Sequence, residues 1–409
     1  MPDTIDLGLD FGSIFFRAAY MLDGEIVPVP ISRSEGVWSG AVFAVGPWGQ
    51  HRFAFESLKS WLGTSGPRVL FGAAGMTITD RVRELLTHFK AHVTDYAGCA
   101  IQRVVIAVPG YYPQAQQAAI RRIAEEVGFQ QIDLLDDCQA AALGYSTLAA
   151  LDRSLTLLVF SMGFMGFEVG LIGVNGEGCH TLAHWGGLSP SGRDIDRLLM
   201  ERCVAEAEGR NLPLPFLKEY DSHAWLDFRD VIEEAKRHLG LGEDTSVILP
   251  ATVTGTFPLP MVLRVADFEA ALKSYVEQAL DRVNQVLADG HVTPQQVDKV
   301  VLVGGTTRLT AFQTGLEALF GSKLIQPREN LLARGTAVYA AIPTSTGATR
   351  STGRAQPASP PPTPEAILSY AQALADAGEH DTATRYLTQI LESVQAVRAR
   401  IEKGVTKIG

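Results

Sequence analysis

Four stretches of the chain combine residue types that suit phosphate and nucleoside chemistry. Gly8-Leu-Asp10-Phe-Gly12-Ser13 follows an apolar run. Glycine lets the backbone approach a phosphate, a hydroxyl donates to its oxygens, and a carboxylate holds Mg2+ through water. Val303-Gly304-Gly305-Thr306-Thr307-Arg308 also follows an apolar run. Its paired glycines let a ligand lie flat against the backbone, and the guanidinium plane of Arg308 can stack on a base. The third stretch is the glycine-bearing turn from Ser161 to Glu168. The fourth carries Glu233, Lys236 and Arg237 at helical spacing. These either grip a polar ligand or pair with one another as a solvated face. Cys99, Cys138, Cys179 and Cys203 form no CxxC pair and have no histidine at zinc-finger spacing. They read as reduced thiols.

These residues need elements to hold them. Ile5–Asp10 and Arg103–Val108 read as strands, and Ala115–Val127 as an amphipathic helix with Ala119, Ile120, Ile123 and Val127 on one face. Leu155–Val174 is apolar over the length of a membrane span. Glu168 and four glycines within it point instead to two buried strands, Leu155–Phe160 and Phe167–Val174, joined by a turn. Asp194–Glu208 and Phe228–Leu239 read as helices and Lys299–Val303 as a strand ending in the Gly304-Gly305 pair. Gly315–Phe320 and Leu331–Ala341 read as helices again. Strands alternating with helices predict an α/β fold with sheets covered on both faces.

The 409 residues carry 35 basic and 45 acidic side chains, a net charge of −10. That balance disfavours a nucleic-acid footprint or a polybasic membrane patch. With 46% hydrophobic and 20% charged residues, wholesale disorder and coiled coil are excluded. No export signal is visible at the N-terminus, so the expectation is a cytoplasmic protein without a membrane span.

Residues 343–364 break the alternating pattern with six prolines, eight Ser/Thr and no acid, and read as a semi-extended linker. Residues 365–403 read as a helical hairpin around Gly378-Glu379-His380. Within it Tyr370–Glu392 resembles one tetratricopeptide repeat, with Ala373, Gly378, Ala383, Tyr386 and Leu391 at its small and apolar positions; a generic helical hairpin is the other reading. One such repeat cannot bury its apolar face alone, so the stripe from Leu387 to Ile401 needs the main domain, a second copy or a partner protein.

The order of the motifs is more specific than any one of them. From Ile5 to Ile342 the chain resembles the nucleotide-binding domain of the DnaK-type 70-kilodalton heat-shock chaperones, within the actin-like ATPase superfamily. Gly8–Ser13 resembles the first phosphate loop, and Val105-Ile-Ala-Val-Pro-Gly-Tyr-Tyr-Pro-Gln-Ala-Gln116 the first connecting strand and its helix. Asp136-Asp137-Cys-Gln-Ala-Ala-Ala142 is similar to the family's Asn-Glu-Pro-Thr-Ala-Ala-Ala. Ser191-Gly192-Arg-Asp194-Ile-Asp196 is similar to its Gly-Gly-Glu-Asp-Phe-Asp. Glu233–Leu239 resembles the adenosine-gripping helix, and Gly304–Arg308 and Gly335–Val338 complete the set. The resemblance implies a bilobed fold, two ribonuclease H-like lobes with nucleotide between them.

It also implies roles. Glu233, Lys236 and Arg237 would contact ribose and adenine, with Gly304, Gly305 and Arg308 as the opposite wall. Gly12, Ser13, Gly163 and Gly192 would border the phosphates. Asp10 would be the metal group, holding Mg2+ through water. Asp10, Asp137 and Lys59 would be the catalytic groups. Lys59 either stands at the γ-phosphate or is a surface lysine. ATP or ADP with Mg2+ would be the ligand.

The second phosphate loop departs from the family pattern Asp-Leu-Gly-Gly-Gly-Thr-Phe-Asp. Here it reads Ser161-Met162-Gly163-Phe164-Met165-Gly166-Phe167-Glu168. The first carboxylate is a serine, two glycines are Phe164 and Met165, and the threonine is Gly166. Ile14 replaces a threonine in the first loop, and Asp137 stands for a glutamate. Phosphoryl transfer depends on positioning and charge stabilisation, and losing one such group costs about 10²–10³ in rate. The expectation is a chaperone-like protein that binds adenine nucleotide, hydrolyses it weakly or not at all, and serves as a scaffold or assembly factor for a partner protein, through the C-terminal hairpin. Only 67 residues follow Ile342, too few for the family's peptide clamp. The alternatives are an active ATPase chaperone without that clamp, and an actin-like filament protein. A sugar or acetate kinase is more distant, because no acid for an acceptor hydroxyl stands out.

Overall fold

The structure is a computed structural model, which describes residues 3–12, 16–30, 42–45, 52–55, 59, 62–63, 77–149, 154–175, 178–212, 222–254, 258–327 and 330–342. Residues 343–403, expected to be linker and hairpin, lie outside the described residues, as do Ser13 and Ile14.

The first sheet runs β3-β2-β1-β6-β7. Strands β1 (Thr4–Phe11), β2 (Phe16–Leu22) and β3 (Glu25–Val29) form an antiparallel meander. A small ribbon of β4 (Val42–Val45) and β5 (Arg52–Phe55) follows. Strands β6 (Ala100–Val108) and β7 (Gln131–Asp136) join β1 in parallel through the crossover helix α2 (Gln114–Glu126). Helix α1 (Ile78–Ala97) precedes β6, and α3 (Asp137–Ala149) leaves β7 directly.

The second sheet repeats the arrangement as β10-β9-β8-β13-β14. Here β8 (Leu155–Met162), β9 (Phe167–Asn175) and β10 (Gly178–Gly187) make the meander, while β13 (Lys299–Val303) and β14 (Leu324–Ile325) are parallel to β8. The apolar stretch 155–174 is therefore a hairpin, as its glycines and Glu168 indicated. Between β10 and β13 come α4 (Gly192–Gly209), α5 (Ser222–Gly240), the β11–β12 ribbon (Thr245–Leu249 and Leu259–Leu263) around the one-turn α6 (Ala251–Thr254), and α7 (Val265–Asp289). A 3-10 turn (Gly305–Arg308), α8 (Thr310–Phe320) and α9 (Leu331–Ala341) end the described chain. Two five-stranded mixed sheets of like topology are the two ribonuclease H-like lobes of an actin-like fold.

The layers follow from strands that are apolar on both faces. On β6, Val104 and Ile106 point to a core with α1 and α2 that includes Leu86, Phe89, Ile120 and Ile123. The alternate residues Val105 and Ala107 face a core shared with α3, α9 and the second sheet's Leu157 and Val159. On β8, Leu158 and Phe160 face the opposite way, toward a core containing Leu199 of α4, Phe228 of α5, Val283 of α7 and Phe312 of α8. Helices α3 and α9 thus lie between the sheets. They fit because their contacting residues are small. A methyl on Gly335 would come within 1.8 Å of the Ala140 carbonyl oxygen, and one on Gly8 within 2.2 Å of the Ala337 nitrogen.

Among the described residues, no helix is long and apolar enough to cross a membrane.

Candidate nucleotide site

Ligands of α/β sheets bind where parallel strands end at their carboxyl side. In the first sheet β1, β6 and β7 end on Asp10-Phe11, Val108 and Asp136. Asp10 is buried, accepts a 2.9 Å hydrogen bond from Asn330 Nδ2, and lies 3.7 Å from Arg17. Asn330 also caps α9 by accepting from Ala333 N–H, so the cap of one helix orients the carboxylate at the end of β1. Nothing in the sequence spacing marks Asn330.

Lys59 is not a surface residue: it is 4% exposed, with Nζ 5.6 Å from the ring centroids of both Phe11 and Tyr112. Burial pushes the Asp137 carboxyl well above the ordinary carboxylate range. Lys59 opposes that rise, while Glu168, Asp10 and Asp136 add to it. Lys59 and Asp10 thus both act on Asp137, whose Oδ1 is buried with no hydrogen-bond partner among the described residues.

In the second sheet the parallel register sets Val303 beside Ser161. That pairing brings the two glycine-rich segments side by side. Thr306 Oγ1 donates to the Gly163 carbonyl at 3.0 Å, and Gly192 N–H donates to the same oxygen at 2.9 Å. Arg193 N–H donates to Phe164 O at 2.9 Å. Gly304 adopts φ +91°, and a methyl there would meet Met162 O at 2.3 Å, so the close approach of the two loops requires glycine. Gly163, Gly192 and Gly304 thus form one cluster. Gly163 and Gly305 border open space, with no atom within 4 Å of an added methyl. The Phe164 ring lies 6.0 Å from the Arg229 guanidinium. Gly12 is half-buried at the end of β1.

On α5 the three spaced residues divide. Lys236 is buried and paired with Asp196 of α4 at 2.5 Å. Asp196 has its carboxyl pushed up to about 6 by burial, which Lys236 opposes. Arg237 is 61% exposed and holds Glu233 and Glu234 at 2.8 Å each. The solvated-face reading describes Arg237; it does not describe Lys236. The C-terminus of α5 packs on the start of α8, two residues past Arg308: Thr310 Oγ1 donates to Gly240 O at 2.8 Å. Arg308 itself is exposed.

Residues 75–352 match the family described as Hsp70 protein, about two thirds of the chain. The chain belongs to the Hsp70 family. The chaperone protein DnaK of Thermosipho melanesiensis is 30% identical over 264 residues, covering 63% of this chain. The match spans 44% of that relative's length. The described domain is thus an Hsp70-type nucleotide-binding domain. Members of the family bind ATP or ADP with Mg2+. The structure adds a partner for Glu168 that the sequence did not single out, His184. Glu168, buried at the start of β9, accepts from Gly110 N–H at 2.7 Å and lies 3.0 Å from His184 Nε2. Burial disfavours the His184 imidazolium. The Glu168 hydrogen bond and the Asp136 charge outweigh it and leave the pKa above its usual value. Burial, reinforced by Glu168, raises the Asp136 carboxyl to about 6.

Proposed function

We propose that this Hsp70-family protein binds adenine nucleotide between its lobes, hydrolyses it very slowly or not at all, and acts as a scaffold or assembly factor for a partner protein. The observation that carries this reading is the contact between the Gly304–Thr306 segment and a Ser161–Gly166 turn whose residue types have changed. The open backbone at Gly163 and Gly305 supports binding of the nucleoside. Ser161 supplies a hydroxyl where phosphoryl transfer needs a carboxylate to organise Mg2+ and water. Phe164 and Met165 add side chains beside backbone N–H groups that would meet phosphate. Asp10, Asp137 and Lys59 are the groups that would face the metal and the terminal phosphate. When bound, Mg2+ would neutralise phosphate charge.

The binding claim is tested by calorimetry of the purified chain with ADP and ATP. The expected result is saturable binding of both. Single-turnover hydrolysis should then be at least about 10²-fold slower than in an active Hsp70, the cost of one lost stabilising group. No binding of either nucleotide would remove the clamp from the proposal, and family-typical turnover would remove the slow hydrolysis. Partner binding is tested by pull-down with the intact chain and with residues 343–409 deleted, where loss on deletion supports the hairpin as the contact. ATP-dependent sedimentation of polymers would favour a filament instead. A cytoplasmic setting accords with this reading.

A further inference from the structure

The register of the second sheet collects a set of side chains that have no relation in the sequence. In the β9–β10 pairing, Gly170 stands opposite His184 and Gly186 opposite Glu168. Glu168 and His184 are therefore diagonal neighbours on adjacent strands, within reach of each other. Both positions opposite them are glycines, which leaves the space above the sheet free. Cys138, in the first turn of α3, fills it: a methyl on Gly170 would come within 2.9 Å of Cys138 Sγ. The thiol sulfur, a Glu168 carboxylate oxygen and a His184 ring nitrogen consequently lie within 4.8 Å of one another. Cys138 and Glu168 are buried, while the His184 side chain keeps 14% exposure and gives a path to solvent.

Asp136 lies beside these three without joining them. Asp136 Oδ1 accepts from the backbone N–H groups of Cys138 and Gln139 at 2.8 and 3.1 Å. Its Oδ2 is turned toward Gly110, where an added methyl would meet it at 1.9 Å and His184 Nε2 at 3.0 Å. Only glycine at 110 leaves room for Asp136 and His184 to approach the backbone this closely. Burial, and then the charges of Glu168, Asp136 and Asp137, push the Cys138 thiol well up. The Asp137 Oδ1 beside them is buried with no hydrogen-bond partner among the described residues.

We propose that Cys138, Glu168 and His184 form a binding site for a zinc-type divalent cation that ties the two lobes together. A thiolate, an imidazole and a carboxylate, with a water completing the tetrahedron, are a donor set that suits Zn2+ and not Mg2+, which prefers six oxygens. The site goes beyond the nucleotide reading and does not depend on it. Binding releases the Cys138 thiol proton and any proton shared by His184 and Glu168 to solvent, and the ion takes their place. Cys138 belongs to α3, which follows β7 of the first sheet, whereas Glu168 and His184 belong to β9 and β10 of the second. An ion held by all three would resist withdrawal of α3 from the second sheet.

The test uses the full chain, stripped with chelator and titrated with Zn2+ and with Co2+. The expected result is one Zn2+ per chain by elemental analysis. Co2+ should give a sulfur-to-metal charge-transfer band and intense tetrahedral visible bands, and millimolar Mg2+ should not remove them. Cys138→Ser should abolish the charge-transfer band. His184→Gln, at the solvent-facing edge, should weaken Zn2+ binding at least about tenfold, as even supporting residues do. A stripped wild-type chain that gives no tetrahedral cobalt spectrum overturns the proposal, whatever the variants do. So does a spectrum that survives in folded Cys138→Ser, because another cysteine would then be the ligand.

Discussion

Lys236 Nζ lies 2.5 Å from Asp196 Oδ1, linking α5 to α4 beneath the face that the motif order assigns to adenosine. Both side chains are buried. A residue that the motif order proposes as a ligand contact is therefore already paired from within, and Lys236 has a structural duty of its own.

Lys236→Met should leave Asp196 as a buried charge without its partner, at a cost of about 3–5 kcal/mol near neutral pH. The sign with pH follows from Asp196, whose pKa is raised to about 6. A raised carboxyl binds its proton more tightly in the folded state, so its penalty is full above that pKa and vanishes below the unfolded value near 3.8. Urea unfolding should show a larger loss at pH 8 than at pH 5. Adding Asp196→Asn should recover most of it. Equal losses at the two pH values would contradict the pairing.

Gly335→Ala tests the helix pair between the sheets. Its methyl would press on the Ala140 carbonyl oxygen at 1.8 Å, and that atom belongs to backbone that cannot yield easily. Overpacking of this kind costs about 1–3 kcal/mol or more. A thermal melt should show the loss; an unchanged melting temperature would mean that α3 and α9 are not in close contact.

Thr77 and Asp80 form a capping box at the start of α1, with Asp80 accepting from Thr77 N–H at 2.9 Å and Thr77 Oγ1 accepting from Asp80 N–H at 3.1 Å. Thr77→Ala should cost about 1 kcal/mol. The Thr77 backbone and hydroxyl, with Arg83, lower the Asp80 pKa to about 2. Here the sign reverses: the stability from Asp80 is present above pH 3.8 and is lost as pH falls toward 2. Asp80→Asn should flatten the acid limb of the stability curve in that window, read by circular dichroism.

Ser161→Asp combined with Phe164→Gly and Met165→Gly should raise single-turnover ATP hydrolysis, by about 10²-fold if one stabilising group is regained. The same variant should be less stable, since a carboxylate would then face Glu168 across the β8–β9 pair. Unchanged hydrolysis with tighter nucleotide binding would place the defect elsewhere, and Asp137 would become the next substitution to reverse.

Particular elements show why some of this was legible in the sequence. Leu331–Ala341 and Lys299–Val303 were read with the same bounds that they have in the fold, because apolar periodicity and flanking turn residues are local properties. The strands β2 and β3 and the helices α1 and α7 went unread for want of a chemical motif, although α1 carries its capping box in plain view. Lys59 left two readings open. Its burial between Phe11 and Tyr112 depends on residues 48 and 53 positions away, which no local pattern reports.

The sequence by itself determined the family, through the order of its motifs, and the chemical departures of the Ser161–Glu168 turn, because residue identity sets donor type. Only the tertiary structure decided which groups meet. Strand register put Ser161 beside Val303 and set Gly170 opposite His184, and it carried Cys138 over that glycine. A one-residue slip would have turned each of these side chains to the other face. The cysteines, unremarkable by spacing, become chemically interesting at one position because sheet pairing is non-local.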